Sequence, residues 1–175
     1  MPRLHHLKLP SGSAKKQTEN KSQWNHSRNI NEANFFTIGY IGRTLDNIIA
    51  VLVNAGVRSL LDIRENPVSM YRPELNKLNL QRSLTEHGLL YVHLPHLGVP
   101  RDIRARAIPG GNRVVIWDWY DQHVVEPYFQ KNLHWFLNGV EHPAALMCVE
   151  IDPTECHRHR LFLALESMGL RGYDL

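Results

Sequence analysis

The stretch Leu146-Met-Cys-Val-Glu-Ile-Asp-Pro-Thr-Glu-Cys-His-Arg-His-Arg160 decides the fold. Ala144 to Ile151 reads as an apolar strand that breaks at Asp152-Pro153 into a helix running to Met168 and stopped by Gly169. Asp152 fits the N-cap, Pro153 the first helical position and Glu155 the third, as in a capping box. Cys156, His157 and Arg158 then fall near the positive end of a helix dipole, where anions are attracted. Glu150 ends the strand just before them. A carboxylate beside a thiol, an imidazole and a guanidinium is costly in a plain core and useful in an active site.

The same strand-then-helix grammar extends outward. Phe35 to Gly39 is a short strand. Thr44 caps a predicted helix over 45–54 that carries Leu45, Ile48, Ile49 and Leu52 at helical spacing and stops at Gly56. Arg58 to Ile63 is a second strand, 77–87 a second helix, and Leu89 to Leu94 a third strand. Residues 95–113, rich in Pro, Gly and Arg, read as a long loop; 114–138 read as one or two helices. Arg171 to Leu175 offers a last short strand. This alternation predicts an α/β fold: a single domain over 35–175 with a mostly parallel sheet flanked by helices.

Residues 1–34 differ in kind. They hold six Lys or Arg against Glu19 and Glu32, so they carry the basic excess of a chain whose net charge is +3. Their Ser, Asn, Lys and Gln content predicts a flexible basic leader, read either as a phosphate-seeking arm or as a solvated tail. Met1 to Gln17 has no apolar stretch of signal-peptide type, and no run in the 175 residues is long enough to span a bilayer. Two cysteines, Cys148 and Cys156, make no disulfide framework, so a reducing cytoplasm is expected. Oligomeric state is not legible.

Polar residues gather just beyond the strand ends. Tyr40 and Arg43 follow the first strand, Asp62 and Arg64 end the second, His93 and His96 the third, and Glu150 the fourth. In an open parallel sheet these carboxyl ends share one edge, where ligands bind. Asp62 and Glu150 are the candidate catalytic carboxylates, each against the alternative of a structural ion pair. Tyr40, Arg43, Arg64, Ser69, His93, Cys156, His157 and Arg158 are the candidate substrate-binding groups. Arg158 shares a face with Phe162 and Leu165, so its stem can pack while its head reaches the site. Cys156 is a candidate nucleophile, since a first helical turn lowers a thiol pKa, whereas Cys148 reads as core. Cys156, His157 and His159 radiate in different directions on one helix, and Cys-x-x-Cys is absent, so neither a metal nor a cofactor is expected. Lys77, Arg101 and Arg104 can follow a nucleic-acid backbone, and Trp117, Trp119 and Tyr120 either pack the core or stack on a base.

Four segments in this order carry a resemblance: Thr37-Ile-Gly-Tyr-Ile-Gly-Arg43, Asp62-Ile-Arg-Glu-Asn-Pro-Val-Ser69, Tyr91-Val-His-Leu-Pro-His-Leu-Gly98 and Cys148-Val-Glu-Ile-Asp-Pro-Thr-Glu-Cys-His-Arg158. Together they resemble the family catalogued as domain of unknown function 488. One departure is Ile41, where many relatives carry an acidic residue. The resemblance implies kinship with antiphage DNA glycosylases that remove modified bases. On that expectation the partner is DNA, including phage DNA, and a carboxylate serves the N-glycosidic bond. The alternatives are a small-molecule enzyme using Cys156 or binding a nucleotide, and a non-catalytic nucleic-acid-binding module.

Overall fold

A computed structural model describes residues 28–107, 113–128, 131, 136 and 138–175. Five parallel strands, β1 (Phe35–Gly39), β2 (Ser59–Asp62), β3 (Leu90–His93), β4 (Ala144–Cys148) and β5 (Gly172–Asp174), form one sheet in the order β3-β2-β4-β1-β5. β1 and β4 are buried at every position, as their nearly unbroken apolar sequences require of strands covered on both faces.

The chain runs from β1 to β2 to β3 in one direction and returns through β4 and β5 in the other. Right-handed crossovers therefore put the first two helices on one face and the later ones on the opposite face. These are α1 (Leu45–Asn54) and α2 (Lys77–Glu86), then α3 (Arg101–Ala107), α4 (Val114–Tyr120) and α5 (Arg158–Ser167). The strands' two-residue period splits the core accordingly. Phe36, Ile38, Leu60, Ala145 and Met147 meet Ile48, Ile49, Leu52, Leu80 and Leu84 of α1 and α2. Phe35, Leu61, Ala144, Leu146 and Cys148 meet Ile103, Ile116, Tyr120, Leu161, Phe162 and Leu165 of α3 to α5. The result is a three-layer α/β fold.

Local signals explain the bounds of α1. Thr44 accepts a hydrogen bond from the Asn47 amide at 3.2 Å and so starts α1. Gly56, at φ +70°, ends the same segment in a conformation that a side chain would strain.

Two sequence expectations need correction. The predicted loop over 95–113 contains a 3-10 turn at Pro95–Leu97 and the helix α3. The segment Arg-Asp-Ile-Arg-Ala-Arg-Ala is rich in good helix formers, and Ile103 gives it one buried anchor. The predicted helix from Pro153 also begins later. Asp152 accepts from the amide and hydroxyl of Thr154, which closes a short 3-10 turn, Pro153–Glu155. Cys156 is then extended (φ −125°, ψ 145°), and α5 starts at Arg158. The capping side chain is spent on a tighter turn, so the thiol sits between two helical pieces rather than inside one. Over 114–138, α4 passes into a π-helical turn at Asp121–Val125.

Residues 28–34, assigned to the leader on sequence, pack against the domain. Arg28 binds Glu166 through two nitrogens at 2.9 and 3.3 Å and lies over the Phe162 ring. Residues 1–27, which hold the rest of the predicted leader, lie outside the described residues. No helix among the described residues is long and apolar enough to cross a membrane.

Candidate functional site

A pocket of about 520 Å³ opens at the carboxyl edge of the sheet. Its floor is the end of β4 and the start of α5: Cys148, Val149, Glu150, Cys156 and His157. Tyr40 after β1 and Arg64 after β2 form one wall; Ile116 and Trp117 of α4 form the opposite one. Arg104 and Arg113 stand at the rim. Sheet topology explains the location. β4 lies between β2 and β1, and the chain leaves β2 and β4 in opposite directions, which leaves a crevice above the strand ends.

The two candidate carboxylates have opposite fates. Asp62 is fully buried and spent on structure. It binds the Arg64 guanidinium through both oxygens (2.8 and 2.5 Å), accepts the Arg64 amide (3.1 Å) and accepts the Tyr91 hydroxyl (2.7 Å). Burial alone would lower the Arg64 pKa, but the bonds and charge of Asp62 outweigh it and leave it raised. Burial and the Asp62 charge likewise keep the Tyr91 phenol protonated far above its usual range. Asp62 does not line the pocket, whereas Glu150 does. Of the three carboxylates on the pocket wall, Glu65 pairs with Arg104 at 3.1 Å and Glu155 with Arg113 at 3.4 Å. Among the described residues Glu150 has no ion-pair partner. Burial, reinforced by Cys156, pushes its carboxyl up to about 7.

Cys148 and Cys156 are each 1% exposed and face the same imidazole. Cys148 Sγ lies 3.6 Å from His157 Nδ1, and Cys156 Sγ lies 4.0 Å from it. The other ring nitrogen of His157 is 3.3 Å from the Ile63 carbonyl oxygen. Burial and the neighbouring Cys156 push the Cys148 thiol well up. Burial also opposes ionisation of Cys156, but Cys148, His157 and the Arg158 charge outweigh it and hold this thiol well below its usual range. Cys148 belongs to the core, as the sequence indicates, and it also lines the pocket. The signal for the second role was its place as the last residue of a central strand, on the face toward which α5 folds back.

The remaining predicted residues divide between the pocket and its supports. Tyr40, Arg64, Cys156, His157 and Arg104 line it, with the Arg64 guanidinium 5.3 Å from the Tyr40 ring centroid. Arg158 does not. It is fully buried, donating to the Glu150 and Ile151 carbonyls and to Asp174, which anchors the floor from below. Arg43 donates to the Leu175 carbonyl at 2.8 Å. His93 Nε2 sits 2.9 Å from the Arg64 carbonyl oxygen. Ser69 closes a turn by accepting the Arg72 amide and donating its own amide to Asn76. Lys77 and Arg101 are exposed at the starts of α2 and α3. Trp117, read from sequence as either core or a base-stacking ring, borders the site, and so does Arg113.

Fold and site thus define a doubly wound α/β protein with an acid, two thiols and a histidine at its strand-end crevice. The chain belongs to the family described as Domain of unknown function DUF488, whose profile matches residues 44–165. No curated protein and no solved structure matches it.

Proposed function

We propose that this protein is an enzyme acting on nucleic acid, a DNA glycosylase that removes a modified base, with Glu150 as the catalytic carboxylate. The observation that carries this reading is the position of Glu150. Among the described residues it is the pocket-lining carboxylate that forms no ion pair with an arginine, at the strand-end crevice where α/β proteins bind ligands. The pocket volume falls in the ~300–1,000 Å³ range of small-molecule sites, enough for a nucleotide turned out of its stack.

In this reading the flipped base lies between Tyr40 and Trp117, while Arg104 and Arg113 face the phosphates at the rim. Cleavage of an N-glycosidic bond develops positive charge on the sugar. An unpaired carboxylate in a partly dry pocket stabilises that charge and accepts the proton of the attacking water. Water adds to the anomeric carbon as the base departs with the bonding electron pair and takes up a proton. Two free thiols suit a reducing compartment, so we place the enzyme in the cytoplasm. A defence role against phage DNA carrying bases foreign to the host fits the same chemistry.

The test is incubation of the full chain with modified and unmodified phage DNA, with abasic sites and released bases as readouts. Glu150→Gln, which keeps the side-chain shape, should abolish abasic-site formation and leave DNA binding largely intact. Full activity in Glu150→Gln defeats the assignment. Loss of activity in Cys156→Ser with Glu150→Gln active favours a thiol enzyme instead.

A further inference from the structure

The three donors on the pocket floor have the spacing of a coordination site. The Sγ atoms of Cys148 and Cys156 and a ring nitrogen of His157 all lie within 4.8 Å of one another. The two sulfur-to-Nδ1 distances are 3.6 and 4.0 Å. Zinc bonds of about 2.3 Å to sulfur and 2.0–2.1 Å to nitrogen, at the tetrahedral angle, require edges of roughly 3.6 Å between sulfur and nitrogen and 3.8 Å between sulfurs. The triad therefore needs shifts of a few tenths of an ångström for its sulfur–nitrogen edges.

We propose that Cys148, Cys156 and His157 bind a zinc-class divalent cation at the floor of the pocket, with the fourth coordination position facing the cavity. Sequence reasoning weighed Cys156, His157 and His159, which radiate from one helix start. The fold discards His159, which is largely buried, and supplies Cys148 from β4 in its place.

Three further observations support the site. First, the imidazole is held in the tautomer a metal-binding histidine needs: donation of Nε2–H to the Ile63 carbonyl leaves Nδ1 as the ligand atom. Cys148 Sγ lies 3.6 Å from Nδ1 and 3.7 Å from Nε2, beside the ring rather than in line with the Nδ1 lone pair, so metal binding requires the ring to turn. The Tyr120 ring meets this imidazole edge-on at 5.2 Å, and the Tyr120 hydroxyl is itself fixed to the Leu97 carbonyl at 2.6 Å. Second, the donors stand on held backbone: the end of a central strand, and a turn closed by Asp152. Third, the donor set is selective. Two thiolates and one imidazole favour zinc or another soft late metal over magnesium or calcium. Two thiolates also neutralise a divalent charge in a floor where both sulfurs are shielded from water. Each thiol proton passes to solvent as its metal–sulfur bond forms. All three donors line the cavity, so a metal held by them is open on that side, as in sites that bind water or substrate at the fourth position. Metal binding here does not depend on the substrate proposed above.

The experiment is cobalt(II) titration of the reduced, chelator-treated full chain, followed by zinc. Because Cys148 and Cys156 are the chain's two cysteines, thiolate signals in the unaltered protein identify them without any variant. The expected result is uptake of one equivalent, with the intense visible bands of tetrahedral cobalt and a thiolate-to-cobalt charge-transfer band, all erased by zinc. His159→Ala should retain these bands; Cys148→Ser and His157→Ala should lose them. Zinc should raise the melting temperature of the unaltered chain but not of Cys148→Ser. A spectrum of octahedral cobalt, no uptake by the reduced chain, or full bands in Cys148→Ser overturns the proposal. So does a chain that takes up no metal and instead loses two hydrogens in mass on mild oxidation, which marks the pair as a disulfide-forming couple.

Discussion

Gly39 passes so close to the peptide after Glu150 that a β-carbon on it would strike the Glu150 carbonyl oxygen and lie 2.6 Å from its carbonyl carbon. The chain leaving β4 folds over the end of β1 at this point, with the amides of Tyr40 and Ile41 donating to the Cys148 and Val149 carbonyls. A side chain at 39 would push this crossing upward and carry Glu150 with it. Gly39→Ala is therefore expected to cost about 1–3 kcal/mol, the range of overpacked sites, and to lower activity beyond the loss of folded protein. Chemical unfolding measures the first effect, and activity per folded molecule the second. A Gly39→Ala protein as stable and active as the parent contradicts the close approach.

Asp62 and Arg64 form a buried ion pair whose removal should be felt in stability rather than chemistry. The pair is 0% and 6% exposed, and both carboxylate oxygens are occupied. Asp62→Asn should cost about 3–5 kcal/mol, because it leaves a guanidinium buried without its counter-charge. Replacing both partners by apolar residues of similar volume should cost less than either single change, which urea unfolding of the full mutant cycle would show. An Asp62→Asn protein of parental stability that has lost activity would return Asp62 to the list of chemical groups.

What the sequence made legible follows from the range of the interactions involved. The alternation of strands and helices, the Thr44 cap and the apolar stripe of α1 are local, and the structure keeps them. The gathering of Tyr40, Arg64, Glu150 and His157 at one edge was also legible, because parallel strands place all their carboxyl ends together. What could not be read was which side chains consume one another. Asp62 and Glu150 look alike as acids at strand ends. Only the three-dimensional positions of Arg64 and Tyr91 show that one is saturated. Arg158 gave the same difficulty, since its register fits a pocket or an internal clamp, and the position of Asp174 on β5 decides for the clamp. Cys148 was hidden because a thiol on a buried strand looks like any small core residue until a helix lays a histidine against it.

The clamp yields its own prediction. Arg158 is fully buried, with its guanidinium shared among the Glu150 and Ile151 carbonyls and the Asp174 carboxylate, which also accepts the Thr37 hydroxyl at 2.6 Å. Arg158→Met should cost about 3–5 kcal/mol, because the buried Asp174 carboxylate loses the Arg158 charge. Arg158→Lys should recover only part of that, since an ammonium cannot reproduce a planar fork serving three acceptors. Thermal unfolding of the two variants should therefore rank parent, Lys and Met in descending order. A Lys variant equal to the parent would show that charge alone matters at this position.

Tyr120 links the helical layer to the site, and its hydroxyl can be removed with little change of shape. The phenol is fully buried, donates to the Leu97 carbonyl at 2.6 Å and is kept protonated chiefly by burial. Tyr120→Phe leaves that carbonyl without its partner and should cost about 1–3 kcal/mol. Its ring would stay against His157, so binding at the pocket floor should change less than stability does. Equal losses in both would mean that the hydroxyl fixes the ring's position as well as the helix.

Trp117 tests whether the pocket takes a base. It is half-buried, packed on the core below and bordering the cavity above. If a base stacks on it, Trp117→Ala should weaken binding of single-stranded DNA by about 1–3 kcal/mol, and Trp117→Phe should restore much of the loss. Arg104→Ala and Arg113→Ala at the rim should act differently. Each should weaken binding to all sequences alike and reduce the slope of log affinity against log salt by about 1 if its guanidinium meets a phosphate. The contrast separates the two roles, because stacking is largely indifferent to salt and phosphate contact is not. A Trp117→Ala protein that loses stability while keeping its full DNA affinity would assign this side chain to the core, and the base would then need another wall.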